Sequence, residues 1–273
     1  MYYENKRITQ NNIALSIITN TKDAPSIIFL HGNSLAAETF LFQLNDKNLN
    51  RYHLVAPEFP GHGHSAKPED PEEVYSITGF RDVMIGFVQQ HIPGDFIFAG
   101  HSLGGHVAIE CLPFLPNCKG LMIWGTPPAS LPINVPDLFH PHPDLGLFFQ
   151  QHLTQAEIKR LSGSIVAKEH VGEIMKMISQ SDPEFRAILP ISYAKGKISD
   201  ELDIVKKSNL PKAIVHGKKD RFVRADYLES LQLSNIFRGG IQYIPDAGHT
   251  PQMDQPDVFN EILLNFATHS FEK

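Results

Sequence analysis

Cysteine is scarce in this chain, long apolar runs are missing, and neither sign of charge is gathered into a block. Two cysteines, Cys111 and Cys118, among 273 residues are too few for a disulfide framework or a thiolate metal site. Their place beside an apolar helical stretch suits buried free thiols. No run of about 18 apolar residues exists to span a bilayer, and the opening MYYENKRITQNNIALSIITN lacks a basic start followed by an apolar core. A cytoplasmic protein without a membrane partner is therefore expected. Lys plus Arg number 24 against 30 Asp plus Glu, a net charge of −6, so nothing attracts a phosphate backbone and no nucleic acid is expected as a partner. Internal repeats and low-complexity tracts are absent too. What is present is a 42% hydrophobic composition, enough for a large buried core.

The segments YYENKRITQ and NIALSIITN alternate and are split by Gln10-Asn11-Asn12, which reads as a hairpin. Short apolar runs follow at Ser26 to Leu30, His53 to Ala56, Phe96 to Ala99, Gly120 to Trp124, Ala213 to Val215 and Ile241 to Ile244. Helix-length stretches lie between most of them, at about Glu38 to Leu49, Ser76 to His91, Leu103 to Leu115, Ala225 to Leu233 and Asp257 to His269. Unbroken apolar strands alternating with helices predict an α/β fold, a mostly parallel central sheet with helices on both faces. The alternation stops once, between Gly125 and Leu210. That interval opens with TPPASLPINVPDLFHPHPD, holds no convincing strand, and continues as helices. One is capped by the box Thr154-Gln155-Ala156-Glu157, and another starts at Asp182 with Pro183 in its first turn. A helical cap at 126–210, inserted after the sixth strand into a core of 1–125 and 211–273, is the expected organisation.

In FIFAGHSLGGHVAIE, Ser102 stands between a strand and a helix as the centre of a G-x-S-x-G. The bare motif is weak, and a serine there also reads as a helix N-cap. Its context suits a sharp turn that projects the hydroxyl at the sheet edge, with Gly100 and Gly104 relieving the clashes. A reactive serine needs a base oriented by a third group, and in this architecture the chain order is Ser, acid, His. Among the later histidines His249, in YIPDAGHTPQ, sits in a loop just after a late strand, whereas His106 lies one turn into the helix that Ser102 opens. Asp220, after the strand Ala213 to Val215, is the favoured acid, and Asp246, three residues before His249, is its local competitor. The oxyanion of an acyl transfer needs donors. The amides of Leu103 and of Asn33, in the HGNS loop, are the candidates, and the Asn33 side-chain amide could add a third. His62-Gly63-His64 fails as a two-metal motif because Ser65-Ala66-Lys67 supply no further ligand, so no metal is expected and His64 at most lines the pocket.

HGNS at 31–34, PGHGHS at 60–65, GHSLGGH at 100–106, the Asp220 loop and AGHTPQ at 247–252 together resemble the α/β-hydrolase superfamily over nearly the whole chain. HGNSLAAETF, GHSLGGHVAIE and GLMIWGTPP are similar to its serine-dependent, metal-free N-acyl-homoserine lactonases. The resemblance implies a serine hydrolase that cleaves a small-molecule carboxylic ester or lactone through an acyl-enzyme, without a cofactor, as a monomer or homodimer. It also implies that Ser34 and His101 in the motifs, and Phe139, Phe148 and Tyr193 in the cap, meet the substrate. One departure concerns the cap tyrosine of that group: AEIKRLSG has Ile158, Lys159 and Arg160 where a tyrosine is expected. Carbon-carbon bond hydrolysis or cofactor-free dioxygenation, helped by Lys159 or Arg160, and a non-catalytic small-molecule receptor are the alternatives on the same fold.

Overall fold

The computed structural model describes residues 3–20 and 22–272; Tyr2, where the first expected hairpin segment begins, lies outside them, as do the two chain ends. The hairpin is formed by β1 (Glu4–Gln10) and β2 (Ile13–Thr19). Asn11 and Asn12 both take positive φ at its tip, a conformation that asparagine tolerates better than most residues. The remaining strands are β3 (Ser26–Leu30), β4 (His53–Pro57), β5 (Phe96–His101), β6 (Cys118–Trp124), β7 (Lys212–Gly217) and β8 (Gln242–Ile244). Among the described residues these strands form one eight-stranded sheet in the order β1-β2-β4-β3-β5-β6-β7-β8. β2 pairs antiparallel with β1 and β4, and every later pairing is parallel.

Period-two alternation divides the core between the two faces of this sheet. Ile28, Leu30, Phe96 and Phe98 point to one side, where Phe80, Phe87 and Val107 pack. Ile27, Phe29, Ile97 and Ala99 point to the other, against Phe40, Trp124, Phe259 and Phe266. Helices Ile77–His91 and Leu103–Cys111 cover the first face and Pro256–Phe271 the second. Cys111 and Cys118 are buried free thiols, and no helix among the described residues is long and apolar enough to cross a membrane.

The stretch expected as one helix from Glu38 to Leu49 is instead broken into a 3-10 turn at Ala37–Phe40, a short helix at Leu41–Leu44 and a second 3-10 turn at Leu49–Arg51. Asp46 is the cause: its carboxylate accepts the amides of Asn48 (2.7 Å) and Leu49 (3.0 Å), competing with the helical ladder for them. Likewise the helix after Ser102 ends at Cys111, and Pro113 sits in the 3-10 turn that follows.

Between β6 and β7 the described chain forms helices and no sheet strand. The principal ones are Gln155–Ile165, Val171–Gln180, Pro183–Ala194 and Glu201–Lys207. The Thr154/Glu157 capping box is complete, and Asp182 caps the next-but-one helix with Pro183 in its first turn. The insert has its own apolar centre, where Leu161, Ile165, Ile174 and Met177 meet Leu35, Phe222 and Met253 of the sheet loops. Asp182 anchors it to the core, accepting from the Tyr75 hydroxyl (2.8 Å) and the Lys67 ammonium (3.1 Å).

Candidate active site

Parallel strands that end on one edge bring their following loops together there. Ser102 follows β5 directly, with φ 51° and ψ −116°, values that a non-glycine residue adopts only when its surroundings enforce them. The enforcement is visible in the two glycines. A Cβ at Gly100 would lie 2.6 Å from the Gly105 Cα, and one at Gly104 would lie 2.1 Å from the Leu30 carbonyl oxygen. The helix backbone therefore packs directly on β3 and β5, and the serine takes the strained corner. Its amide donates to the Trp124 carbonyl (2.8 Å), and its own carbonyl accepts from the Thr126 hydroxyl (2.9 Å). The Ser102 side chain makes no capping hydrogen bond to the helix it precedes, so the hydroxyl is not spent as an N-cap.

His249 follows β8 and Asp220 follows β7, and these loops are laced together by Lys218 N–H to Ile244 O (3.0 Å) and Lys219 N–H to Ala247 O (2.8 Å). His249 Nδ1 stands 2.9 Å from Asp220 Oδ2, in a pair that is almost wholly enclosed. The other Asp220 oxygen accepts the amides of Phe222 (2.8 Å) and Val223 (3.3 Å). Burial alone would raise this carboxyl, but the charge of His249, its hydrogen bond and the amide of Phe222 outweigh it and hold Asp220 below its ordinary value. Asp246, the competing acid, is exposed and paired with Lys219 at 2.7 Å. The imidazole reaches across the end of β6 towards β5: a Cβ on Gly125 would lie 2.7 Å from His249 Cε1 and 3.1 Å from Nε2. With Nδ1 on Asp220, Nε2 is the ring nitrogen left for the cavity.

That cavity, of about 270 Å³, is lined by Ser102, His249, Asn33 and Leu103 from the core and by Leu138, Phe139, Phe148, Leu189 and Tyr193 from the insert. Leu103 opens its helix, so its N–H has no intrahelical acceptor. Asn33 lies beside it because β3 and β5 are paired, Leu30 opposite Gly100. The Asn33 side-chain amide, expected as a further donor, is engaged elsewhere: it donates to the Phe148 carbonyl at 3.1 Å and ties this loop to the insert.

Phe139, Phe148 and Tyr193 are thus among the cavity-lining residues, while Ser34 and His101 are not. Ser34 is buried beneath Asn33, donating to its Oδ1 (2.8 Å) and accepting from Arg186 (3.2 Å). His101 alternates away from the turn onto the far face of the sheet, stacks on Trp124, and holds the His249 carbonyl at 2.9 Å through Nε2. Burial, together with the nearby His249, keeps its pKa well below the ordinary value. Both residues support the site from behind.

Lys159 and Arg160 also lie away from the cavity, on the exposed side of their helix, where Arg160 pairs with Asp144 at 2.5 Å. His62 is buried against Phe185, with Nδ1 3.0 Å from the Pro60 carbonyl. His64 is exposed outside the cavity, its Nδ1 3.8 Å from carboxylate oxygens of Glu38 and Glu58. Glu58 opens the same loop, just before the segment weighed for ligands, and Glu38 comes from the Ala37–Phe40 turn, outside any local ligand count. Besides Leu138, Leu189 and Arg186, the sequence also gives no sign of Glu201, fully buried, whose carboxylate oxygens stand 2.9 and 2.8 Å from Nδ1 of His106. A partner 95 positions away leaves no local signal.

Comparison with known proteins agrees with this architecture. Residues 27–262 match the alpha/beta hydrolase family model. The esterase Rv0045c of Mycobacterium tuberculosis is 26% identical over 266 residues, covering 92% of this chain and 85% of the relative. The 2-hydroxy-6-oxononadienedioate/2-hydroxy-6-oxononatrienedioate hydrolase of Escherichia coli is 25% identical over 264 residues, covering 88% and 86%. Among solved structures, a mutant of the N-acyl homoserine lactonase AidH complexed with N-hexanoyl homoserine aligns with a TM-score of 0.93 and 28% identity over 98% of this chain and 97% of that one. With the sheet order, the strained serine turn and a family match across most of its length, the chain belongs to the alpha/beta hydrolase family.

Proposed function

We propose that the chain is a serine hydrolase that cleaves a carboxylic ester or lactone through an acyl-enzyme, with N-acyl homoserine lactones as the leading substrate class. The observation that carries the reading is the enclosed His249–Asp220 pair directed at a cavity shared with Ser102, whose hydroxyl is not used as a cap. Ser102 Oγ attacks the acyl carbonyl as His249 Nε2 takes its proton, and Asp220 keeps the other ring proton on Nδ1. The backbone amides of Asn33 and Leu103 receive the developing oxyanion. His249 then protonates the leaving alkoxide and later activates the water that clears the acyl-enzyme. In a lactone the leaving alkoxide stays tethered to the acyl group, so the product is a single ring-opened hydroxy acid.

The insert supplies the acyl-chain pocket as a cap at 126–210. Its lining, Leu138, Phe139, Leu145, Phe148, Phe149 and Leu189, matches an aliphatic acyl chain, and Lys159 and Arg160 lie too far out to receive the carboxylate of a dienoate. Similarity to AidH and to a mycobacterial esterase supports the same substrate classes. The test is a panel of 4-nitrophenyl esters and N-acyl homoserine lactones, with ring opening followed by proton release. Ser102→Ala is expected to abolish turnover while keeping the melting transition; near-wild-type turnover in that variant refutes the reading.

A further inference from the structure

A second cavity, of about 350 Å³, shares no lining residue with the one at Ser102, and Glu38, Glu58 and His64 stand on its wall. Glu58 is the first residue after β4 and is fully buried. Its backbone is fixed on both sides, the amide donating to the Ser16 carbonyl (2.9 Å) and the carbonyl accepting from the Ser65 hydroxyl (2.8 Å). Its Oε2 accepts the His64 amide at 2.6 Å, which holds the carboxylate against the turn of PGHGHS. Gly63, at φ +52°, makes the room, for a Cβ there would lie 2.3 Å from Oε1. That Oε1 is buried and accepts no hydrogen bond, and neither does the buried Oε2 of Glu38.

Buried carboxylates are costly unless a positive charge compensates them. Among the described residues neither of these two pairs with a Lys or Arg; each has only His64 as its ion-pair partner. The basic side chains on the cavity wall are committed elsewhere, Lys6 to Glu4 (2.7 Å) and Arg7 to the His64 carbonyl (3.3 Å). His64 Nδ1 stands 3.8 Å from Glu38 Oε1 and 3.8 Å from Glu58 Oε2. That is too long for a hydrogen bond, and it is a span that one cation bridges with bonds of about 2.0–2.2 Å on either side.

We propose that Glu38, Glu58 and His64 form a binding site for a divalent transition cation of the zinc type, which clamps the loop after β4 to the Ala37–Phe40 turn. One imidazole nitrogen and two carboxylate oxygens, all within 4.8 Å of one another, match the mixed nitrogen and oxygen ligation of that ion, whereas Ca²⁺ and Mg²⁺ take oxygen ligands. Glu38 and His64 are partly exposed, so their side chains can turn to close the shell, and water completes it. With no cation bound a proton stands in, since burial, reinforced by Glu38, pushes Glu58 up to about 7. The site is independent of the acyl-transfer reading and takes no part in that chemistry.

The test is calorimetric titration of the EDTA-treated, dialysed chain with Zn²⁺. Saturable binding of one equivalent is expected, with Kd rising about tenfold or more in His64→Gln and in Glu38→Gln, both at partly exposed positions where the fold should survive. His170→Gln, which removes an imidazole from a pair with Glu173 (3.2 Å), should leave Kd unchanged. Ca²⁺ should neither bind as tightly nor respond to His64→Gln. Absence of saturable Zn²⁺ binding overturns the proposal, as does a Kd that is the same in wild type, His64→Gln and Glu38→Gln. Ca²⁺ binding as tight as that of Zn²⁺ overturns the assignment to a zinc-type ion.

Discussion

Replacing Gly125 with alanine tests how His249 is seated. Gly125 follows β6 directly at φ +61°, and a Cβ there would lie 2.7 Å from His249 Cε1. An ordinary contact needs about 3.4 Å or more, so the ring must retreat by roughly 0.7 Å or the β6 terminus must give. Two effects follow, with separate readouts. The left-handed backbone costs a Cβ-bearing residue about 1–2 kcal/mol, which in a chain of 273 residues lowers Tm by roughly 2–6 °C. The displaced imidazole loses alignment with Asp220 on one side or with Ser102 on the other, and a misplacement approaching 1 Å costs on the order of 100-fold in kcat. KM should move much less, because the acyl pocket is built by other residues.

The assay is 4-nitrophenyl butyrate hydrolysis at a temperature well below both transitions, beside a circular-dichroism melt. Gly163→Ala is the control: it lies in the Gln155–Ile165 helix with nothing within 4 Å of its added Cβ, so it should leave kcat alone and add about 0.5–1 kcal/mol of stability. If Gly125→Ala keeps wild-type kcat while folded, the imidazole is not seated against β6 in the working enzyme and the geometry argued for Nε2 is wrong.

Asp220→Asn should leave the fold intact and lower kcat about 10⁴-fold, because an amide NH₂ facing Nδ1 selects the wrong imidazole tautomer; Asp246→Asn, on an exposed residue paired with Lys219, should change kcat by less than twofold. Gly104→Ala places a Cβ 2.1 Å from the Leu30 carbonyl oxygen and is expected to cost about 3 kcal/mol or more, read as a loss of soluble protein or a large drop in Tm. Burial, reinforced by the neighbouring Glu38 carboxylate, pushes Glu58 up to about 7. Because this pKa is raised on folding, the stabilisation from Glu58 is full below its ordinary 4.5 and is lost as pH rises through about 7. The stability difference between wild type and Glu58→Gln should therefore shift against the wild type over that window, by up to about 1.4 kcal/mol per pH unit. A difference that is flat with pH in chemical denaturation rules out the buried proton.

The parallel strands were legible because burial on both faces leaves near-continuous apolar runs, as in SIIFL and GLMIW, and the serine turn because Gly100 and Gly104 are demanded by backbone contacts that only small residues permit. Asp220 and His249 could be ranked from chain order, but the choice between Asp220 and Asp246 needed the fold, since both stand in polar loops near the same sheet edge. The broken helix after Glu38 hid behind good apolar spacing, which carries no record of Asp46 capturing two amides. His101 and Ser34 sit in the most recognisable motifs and still face away from the cavity. Motif membership marks a neighbourhood, whereas the alternation of a strand or the tilt of a turn decides which side each residue serves.

The same distinction bears on how the chain selects substrates. In the proposed mechanism the reacting groups all come from loops at the ends of β3, β5, β7 and β8, while most of the apolar wall comes from the insert. The two parts are nevertheless joined at the HGNS loop, where Asn33 donates to the Phe148 carbonyl and Arg186 reaches Ser34 from the Pro183–Ala194 helix. Arg186 is buried and also donates to the Gln150 and Gln151 carbonyls and the Ser181 hydroxyl, so its contact with Ser34 belongs to a network held on several sides. On the proposed mechanism, a change in how the insert seats itself on an acyl chain is therefore felt at Asn33, whose amide would receive the oxyanion. Chain length should register in kcat as well as in KM, since part of the energy of filling the apolar wall is transmitted to the group that meets the transition state.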